Sequence, residues 1–533
     1  MREYYNNIRE GREVRPSLAQ LKGLLKTAEN RARFRSICGG NYDPILKCLA
    51  SEDAKVRKNA AGVIGLLGDQ ENADLLMDAW RAEETRFVRP AYLSALSQMD
   101  CSSYMEEFHA RLDWLESYSA PEEEKKHAAE ETAALRDLIL RQEGLPKHKF
   151  TGWHAQQDVV LTARPAFRAA LFSELRAKKR EVSLGVRIRT GDLGGVFRNR
   201  VWQEMLFVVS CSKKLPMEER ALARELAASN LLALLEANHS GEPPFYFRIG
   251  FAGPSVPEDR GAFIRSLGSL LEGALGGKLV NSASHYEAEI RLVCGRDGTC
   301  IPFLKLFTIA DQRFYYRRYY VPASMKPATA AGIAALARPY CRPDAAVLDP
   351  FCGVGTLLIE RQYAMSVRRA CGIDTFGEAV AKARANTERA GQEIQYLNRN
   401  FFHFECMEPF DEIFTDMPAG NLKKEELELI YRVFLEKSCE VLAEGGRVFC
   451  YSGEMGLLKK YLRLNGGFRL VKEFEISRTG PNPENGMWLF ILEKIKKSVP
   501  ESEYPVNGVS RADLGTGCHA EKSEENKNRA RKE

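Results

Sequence analysis

The C-terminal half of the chain alternates between short apolar segments and longer amphipathic segments, beginning at Asp344. We predict strands at 347–349, 370–374, 394–397, 412–415 and 447–451, helices near 356–368, 377–390 and 425–442, and closing strands at 468–474 and 487–493. Such alternation is typical of a doubly wound, mostly parallel α/β sheet. Ligands of these sheets bind beyond the carboxyl ends of the strands.

The loop after the first predicted strand has the composition of a ligand-binding turn. It reads Asp349-Pro350-Phe351-Cys352-Gly353-Val354-Gly355-Thr356, and the next strand ends at Asp374. Gly353 and Gly355 allow a ligand to approach the backbone closely. Asp349 is placed to bind an ammonium group, and Asp374 to accept the hydroxyls of a ribose. GxGxxG and a Walker lysine are absent, which disfavours a dinucleotide or a nucleoside triphosphate. A ligand with an amine at one end and a ribose at the other fits S-adenosylmethionine. The alternative is a glycine turn and two strand-end acids that coincide by chance.

This segment resembles the cofactor motif of class I methyltransferases, in the form found in THUMP-domain RNA methyltransferases. Similarity to the ferredoxin-like and THUMP portions of that family extends over Val160–Pro165, Phe247–Ile249, Leu267-Gly268 and Asn281. Ser324–Ala331 resembles the helix start that precedes the cofactor motif. The resemblance implies an RNA-binding THUMP module and methyl transfer to N2 of guanosine in tRNA or rRNA. It also implies a set of residues that bind S-adenosylmethionine: Asp349, Phe351, Cys352, Gly353, Gly355, Asp374 and Asn400. For Asn400, a contact with adenine and a simple loop cap are equal alternatives.

A second motif follows the fourth strand and reads Asp416-Met417-Pro418-Ala419. The resemblance implies that Asp416, Met417 and Pro418 form the catalytic motif of an amino-methylating enzyme. The carboxylate and the next backbone carbonyl would hold the target amine toward the methyl group. The alternative is an ordinary X-Pro turn.

Family members carry an aromatic residue where this chain has Ala419, and that ring stacks on the flipped base. Stacking is worth about 1–3 kcal/mol, so its loss matters for activity. Either another ring takes over the role, or the protein is a non-catalytic RNA-binding scaffold. The replacement rings that we consider are Phe351, Tyr451, Phe314 and Tyr316. A DNA or protein methyltransferase fits the second motif but not the THUMP-like region.

Positive charge is concentrated in the middle of the chain, which favours nucleic acid as a partner. Residues 151–320 hold 24 Lys and Arg against 17 Asp and Glu, whereas the whole chain has a net charge of +5. The run 313–320 interleaves arginines with aromatic residues, and a second cluster lies at 176–180. We predict RNA contacts from Arg313, Arg317, Arg318, Lys178, Lys179 and Arg180. The alternatives are an edge strand with arginines extended outward and a merely solvated face.

The N-terminal residues contain an internal repeat of helical character. The segment at 51–69 recurs thirty-two positions later at 85–96, aligning Val88 with Val56 and Arg89 with Arg57. Paired helices at a fixed period are typical of a stacked solenoid. These residues resemble HEAT repeats, which implies a surface for a protein partner.

The chain of 533 residues is long enough for several domains. We predict HEAT-like helices at 1–145, a THUMP/ferredoxin-like RNA-binding region at 150–320, a class I methyltransferase domain at 321–496 and a disordered tail at 497–533. The 13 cysteines show no CxxC spacing, so we expect neither zinc ligands nor disulfides. The N-terminus lacks a signal-peptide core and no apolar run is long enough to span a bilayer, so we expect a cytoplasmic protein without membrane association. Methyl transfer needs no metal ion, so we expect none.

Overall fold

The computed structural model of the protein describes residues 1–118, 120–145, 148–211, 214–322, 324–418, 422–477 and 486–495. Two features of the sequence prediction lie outside these ranges: Ala419 and the tail predicted at 497–533.

The N-terminal part of the chain is entirely helical within the described residues. Its helices are α1 (Arg2–Arg9), α2 (Val14–Leu24), α3 (Ala28–Cys38), α4 (Asp43–Leu46), α5 (Ala54–Leu67), α6 (Ala73–Ala82), α7 (Arg89–Leu96), α8 (Met105–Ser117) and α9 (Lys125–Glu143). Helix α5 begins after Asp53, whose carboxylate accepts a hydrogen bond from the amide of Lys55 (2.7 Å), and it ends at Gly68 in the left-handed conformation. Helices α2, α5, α7 and α9 contact one another in succession.

The repeat in the sequence corresponds to repeated contacts in the structure. Arg57 donates to the carbonyl of Ser51 (2.8 Å), and Arg89 donates to the carbonyl of Glu83 (2.9 Å), each six residues earlier. Arg57 also pairs with the buried carboxylate of Glu83 (2.7 Å), and Arg89 with that of Glu131 (3.1 Å). The aligned arginines therefore tie successive helices together in the same way.

The middle of the chain forms a largely antiparallel sheet flanked by helices. Its elements are β1 (Lys149–Phe150), β2 (Gln157–Thr162), α10 (Arg168–Glu174), β3 (Lys178–Val182), β4 (Gly185–Thr190), α11 (Leu193–Val196), β5 (Met205–Val208), β6 (Leu215–Pro216), α12 (Glu219–Ala227), α13 (Leu231–Asn238), β7 (His239–Ser240), β8 (Phe245–Ala252), α14 (Arg260–Ala274), β9 (Leu279–Asn281), β10 (Ala288–Cys294) and β11 (Thr299–Leu306). The strand order is β3-β4-β2-β5-β11-β10-β8-β9, with β6 paired to β11 and β1 paired only to β7.

The C-terminal part confirms the predicted α/β class. It comprises α15 (Pro327–Ala337), β12 (Ala345–Asp349), α16 (Thr356–Ala364), β13 (Val367–Asp374), α17 (Gly377–Ala390), β14 (Gln395–Asn398), β15 (Phe410–Asp416), α18 (Lys424–Val441), β16 (Leu442–Ser452), α19 (Met455–Asn465), β17 (Phe468–Ser477) and β18 (Met487–Lys494). The strand order is β14-β13-β12-β15-β16-β18-β17, parallel from β14 through β16, with β18 antiparallel to both of its neighbours. The order reverses at β12, so the crevice between β12 and β15 is the topological switch point of the sheet.

The middle and C-terminal sheets share one apolar core, whereas the N-terminal helices have their own. Phe167 is fully buried against Gly332 of α15, where a Cβ atom would come within 2.5 Å of the ring. This close contact places the end of β2 beside the C-terminal sheet. No helix within the described ranges combines the length and apolarity needed to cross a bilayer.

Candidate active site

Two predicted site residues end the strands on either side of the switch point. Asp349 is the last residue of β12, and Asp416 is the last residue of β15. The two strands pair directly, with Leu348 opposite Ile413. Because the strands are parallel, both acids lie at the same edge of the sheet, where ligands of this topology bind.

The turn after β12 has the open backbone that the sequence predicted. Gly353 and Gly355 adopt positive φ angles of 52° and 79°. A Cβ atom on Gly353 would meet no atom within 4 Å, so this part of the turn faces open space. At Gly355 a Cβ atom would lie 2.3 Å from the hydroxyl of Tyr396, so only glycine fits. Cys352, which precedes Gly353, is buried, and burial raises the pKa of its thiol well above the usual value.

Asp374 is bonded directly to this turn. One carboxylate oxygen accepts a hydrogen bond from the amide of Gly353 (2.8 Å), and the other accepts one from the amide of Phe376 (2.8 Å). Each oxygen of a carboxylate has two acceptor sites, so each retains one for a further donor. Asp374 is half-buried, and it therefore both fixes the turn and keeps acceptors available to a ligand.

Asp349 is held by residues of both neighbouring elements. Its Oδ1 atom accepts hydrogen bonds from the hydroxyl of Thr415 (2.7 Å) and from the amide of Phe351 (3.1 Å). Burial, with a smaller contribution from the charges of Asp416 and Asp374, raises the pKa of Asp349 to about 8. Two hydrogen bonds oppose this shift but do not cancel it. A cationic group bound here would restore the ionised form.

The predicted catalytic motif lies at the end of β15. Asp416 is half-buried, and desolvation raises the pKa of its carboxyl to about 7. The amide of Met417 donates to the carbonyl of Tyr451 (2.9 Å), which anchors the motif to β16, and the Met417 side chain is buried. Pro418 is half-buried and is the last described residue before the gap.

Of the rings considered as substitutes for the missing aromatic residue, Tyr451 lies closest in the sheet to Asp416. The two residues are register partners in adjacent parallel strands. Tyr316 is fully buried, and its hydroxyl donates a hydrogen bond to Glu360 (2.6 Å), so its ring is not available to stack on a base. Phe351 packs with Phe401, Phe402 and Phe434, and Phe314 lies beside Arg200.

Asn400 caps the turn that follows it. Its side-chain oxygen accepts a hydrogen bond from the amide of Phe402 (2.9 Å). This contact is the loop cap that was one of the two alternatives for this residue. A role of the carboxamide nitrogen toward adenine stays a prediction.

The prediction that Arg313 contacts RNA is wrong, because the side chain is buried. Only 5% of Arg313 is exposed, and its guanidinium pairs with Asp311 (2.7 Å), donates to the carbonyl of Trp202 (2.9 Å) and stacks on the Trp202 ring. Arg317 is half-buried and donates to the hydroxyl of Thr356 (2.9 Å), at the first residue of α16. Arg318 is exposed, and its contact with RNA stays a prediction.

The basic cluster at 178–180 forms an edge strand that the sequence did not predict. Lys178 and Arg180 are exposed on β3, whereas Lys179 donates to the carbonyl of Leu175 (2.7 Å) at the end of α10. A hollow of about 290 Å³ on this strand pair is lined by Lys178, Lys179, Arg180, Arg187, Ile188 and Arg189. Contacts of this surface with RNA remain a prediction.

Three site residues were missed in the sequence: Thr415, Tyr396 and Arg164. Thr415 bonds Asp349, and Tyr396 fills the space behind Gly355. Arg164 reaches from the middle sheet to the hydroxyl of Tyr451 (3.4 Å). Only Thr415 had a local signal, since it directly precedes Asp416. No group of three or more potential metal ligands occurs among the residues that the structure describes.

In a comparison with known protein families, the C-terminal part of the chain matches the family model of a methyltransferase domain. Residues 315–482 match the family model described as "RMKL-like, methyltransferase domain". Two curated proteins named tRNA (guanine(10)-N2)-dimethyltransferase are similar. The one from Methanothermobacter thermautotrophicus is 32% identical over 153 residues, covering 27% of this chain and 44% of that protein. The one from Methanocaldococcus jannaschii is 31% identical over 167 residues, covering 28% and 46%. The chain thus spans less than half the length of these relatives.

Among solved structures, TrmN from Thermus thermophilus is 21% identical to this chain, with a TM-score of 0.49. The alignment covers 64% of this chain and all of that structure.

Proposed function

We propose that the protein is an S-adenosylmethionine-dependent RNA methyltransferase that acts on N2 of guanosine in tRNA or rRNA. The proposal rests on one observation: Asp349 and Asp416 end neighbouring parallel strands at the switch point of the C-terminal sheet, beside a glycine turn that Asp374 holds by a hydrogen bond. The matched methyltransferase model spans all of these residues. The two curated relatives support guanosine in tRNA as the first substrate to test.

The residues at the turn fit S-adenosylmethionine. The backbone at Gly353 faces open space, and Asp374 keeps acceptor sites that suit the two hydroxyls of a ribose. The buried carboxylate of Asp349 suits the ammonium end of the cofactor. When bound, the cofactor supplies a methyl group carried on a positively charged sulfur.

The protein's own contribution to the reaction is to orient the target amine. In the proposed mechanism the ionised carboxylate of Asp416 and the carbonyl of Met417 accept the two hydrogens of the guanosine amine. The nitrogen lone pair is then directed toward the methyl group, and positioning of this kind is a large part of catalysis. Tyr451 is the register partner of Asp416 but is only 5% exposed, so its support of the flipped base in place of the missing aromatic residue requires this ring to move.

The remaining parts of the chain are assigned by the same proposal. Residues 1–145 form HEAT-like repeats for a protein partner, supported by the equivalent contacts of Arg57 and Arg89. Residues 150–320 form a THUMP/ferredoxin-like region that helps to bind RNA, and 321–496 form the methyltransferase domain. We place this activity in the cytoplasm.

The experiment is transfer of a deuterated methyl group from S-adenosylmethionine to RNA purified from a strain that lacks this gene. The RNA is digested, and the labelled nucleosides are identified by mass spectrometry. We expect labelled N2-methylguanosine or N2,N2-dimethylguanosine with the full chain, and none with Asp416→Ala. Full-length protein that binds RNA but labels no nucleoside would support the scaffold alternative instead.

A further inference from the structure

A large cleft separates the middle sheet from the C-terminal sheet. Its volume is about 1070 Å³, at the upper end of the range for small-molecule sites. It is lined by Arg164, Pro165, Gln203, Glu204, Asp311, Arg313, Phe314, Lys326, Pro327, Ala328, Glu475 and Ile476. None of the residues assigned above to the cofactor or to the transfer step lies in this lining.

The cleft opens at the same edge of the C-terminal sheet as the candidate active site. Glu475 of β17 pairs with Trp488 of β18, and Trp488 pairs with Ser452 at the end of β16. Ser452 directly follows Tyr451, the register partner of Asp416. Arg164 spans the remaining distance, because its guanidinium lies 3.4 Å from the hydroxyl of Tyr451. A chain bound in the cleft can therefore continue to Asp416.

Two cations of the cleft lack a carboxylate partner. Arg313 is neutralised by Asp311 (2.7 Å). Among the residues that the structure describes, neither Arg164 nor Lys326 forms an ion pair, with Glu475 or with any other acid. Arg164 is half-buried and Lys326 is exposed.

A second acid of the lining, Glu204, is already paired. Its carboxylate binds Arg291 (3.2 Å) and Lys305 (2.6 Å), neither of which lines the cleft. This acid therefore does not compensate the charges of Arg164 and Lys326. The third acid of the lining, Glu475, is ion-paired with neither cation in the described ranges, so Arg164 of the middle part and Lys326 just before α15 remain for an anionic ligand.

We propose that Arg164 and Lys326 form a phosphodiester-binding site for the RNA strand that carries the target nucleotide. This inference rests on the proposed function and specifies how the substrate is held. Arginine and lysine are the usual contacts to nucleic-acid phosphates, and such contacts set the position of the strand without reading its sequence. The size of the cleft, its open shape and the charged side chains in its lining suit an extended backbone better than a small metabolite.

The test compares the Arg164→Ala/Lys326→Ala double variant with wild type in binding unfractionated tRNA. Fluorescence anisotropy is measured over a series of salt concentrations. Each lost phosphate contact lowers the slope of log affinity against log salt by about 0.7–0.9, so we expect a decrease of about 1.5 and a Kd raised about tenfold at low salt. The charge-conserving variant Arg164→Lys/Lys326→Arg should keep most of the wild-type slope.

A matched control removes one arginine and one lysine elsewhere. Arg33 on α3 and Lys47 are exposed, lie outside the region proposed to bind RNA, and form no ion pair within the described part of the chain. We expect Arg33→Ala/Lys47→Ala to leave the slope unchanged. Calorimetry of S-adenosylmethionine binding checks that the double cleft variant remains folded.

The outcomes separate this proposal from the proposed function. A cleft variant with the slope and Kd of the control overturns the phosphodiester site, even if wild type methylates tRNA normally. Absence of tRNA binding by wild type overturns it as well. A reduced slope in a protein that transfers no methyl group leaves the site standing and removes only the enzymatic function.

Discussion

At the scale of single residues, the carboxyl group of Asp416 links the structure most directly to chemistry. Burial at the end of β15 raises its pKa to about 7, since the ionised form loses hydration there. The proposed mechanism needs the ionised form, because a carboxylate is a pure acceptor for the amine hydrogen, whereas a protonated carboxyl group also presents an O–H donor. Asp416 is therefore half protonated near neutral pH.

We predict that kcat at saturating cofactor rises about tenfold per pH unit below pH 7 and levels off above it, since each unit changes the ionised fraction tenfold. Asp416→Asn cannot titrate, so its kcat should be lower and independent of pH between 6 and 8. Asp416→Ala should lose about 10²–10⁴-fold in kcat. Rates of methyl transfer to tRNA measure all three. A pH profile of Asp416→Asn that matches wild type would exclude this role for the carboxyl group.

Individual residues also mark the limit of what the sequence could predict. The acids at the ends of β12 and β13 were predicted correctly as strand ends, and Asp416 was predicted one residue beyond the end of its strand, because an apolar run followed by an acid is a local signal. The burial of Arg313 has no such signal. Its stacking partner Trp202 lies more than a hundred positions away, and its position follows from how two sheets pack. The same holds for the contact of Arg164 with Tyr451.

At the scale of elements, the turn between β12 and α16 depends on two glycines with different surroundings. Both have positive φ, where a side chain is strained by about 1–2 kcal/mol. Gly353 faces open space, whereas a Cβ atom on Gly355 would meet the hydroxyl of Tyr396. The two positions therefore share the backbone penalty but differ in steric room.

We predict that Gly355→Ala destabilises the protein more than Gly353→Ala does, with overpacking adding about 1–3 kcal/mol to the free energy lost. Midpoints of urea unfolding measure the difference. Tyr396→Phe removes the clashing hydroxyl and should recover part of the loss in the Gly355→Ala background. Because Tyr396 also bonds Thr387 (2.8 Å), the comparison needs the single Tyr396→Phe variant as a control. Equal losses in the free energy of unfolding for Gly353→Ala and Gly355→Ala would contradict a steric conflict between residue 355 and Tyr396.

Elements differed in how well the sequence predicted them. Helix α17 was predicted with its exact ends, since Gly391 follows an amphipathic run and ends it. Strand β3 was missed because its residues Lys178–Val182 are mostly charged and exposed, so no apolar alternation marks it. Helix α19 was also missed, since its short amphipathic pattern lies between two strong strands.

At the scale of the whole molecule, one buried carboxylate joins the middle part to the C-terminal sheet. Glu360 of α16 accepts two hydrogen bonds from Arg200 (both 2.8 Å) and one from the hydroxyl of Tyr316 (2.6 Å). The Glu360 side chain is fully buried, whereas 21% of the Arg200 side chain is exposed.

We predict that Glu360→Ala costs about 3–5 kcal/mol, because it leaves a largely buried arginine without its partner. Scanning calorimetry should show a lowered transition for the coupled middle and C-terminal parts. The N-terminal helices have a separate core, so their transition should move little. Glu131→Ala, which removes the equivalent buried partner of Arg89 and Arg111, should show the reverse pattern. Identical shifts in both variants would contradict separate cores.

The most direct test of the account is a crystal structure of the full chain with S-adenosylhomocysteine, the demethylated form of the proposed cofactor. We predict that the ribose hydroxyls lie within hydrogen-bond distance of Asp374 and that the amino group lies beside Asp349. The sulfur should then face Asp416 across the crevice between β12 and β15. Ligand density elsewhere, or a crevice closed by the protein's own side chains, would contradict the assignment of this edge as a methyl-transfer site.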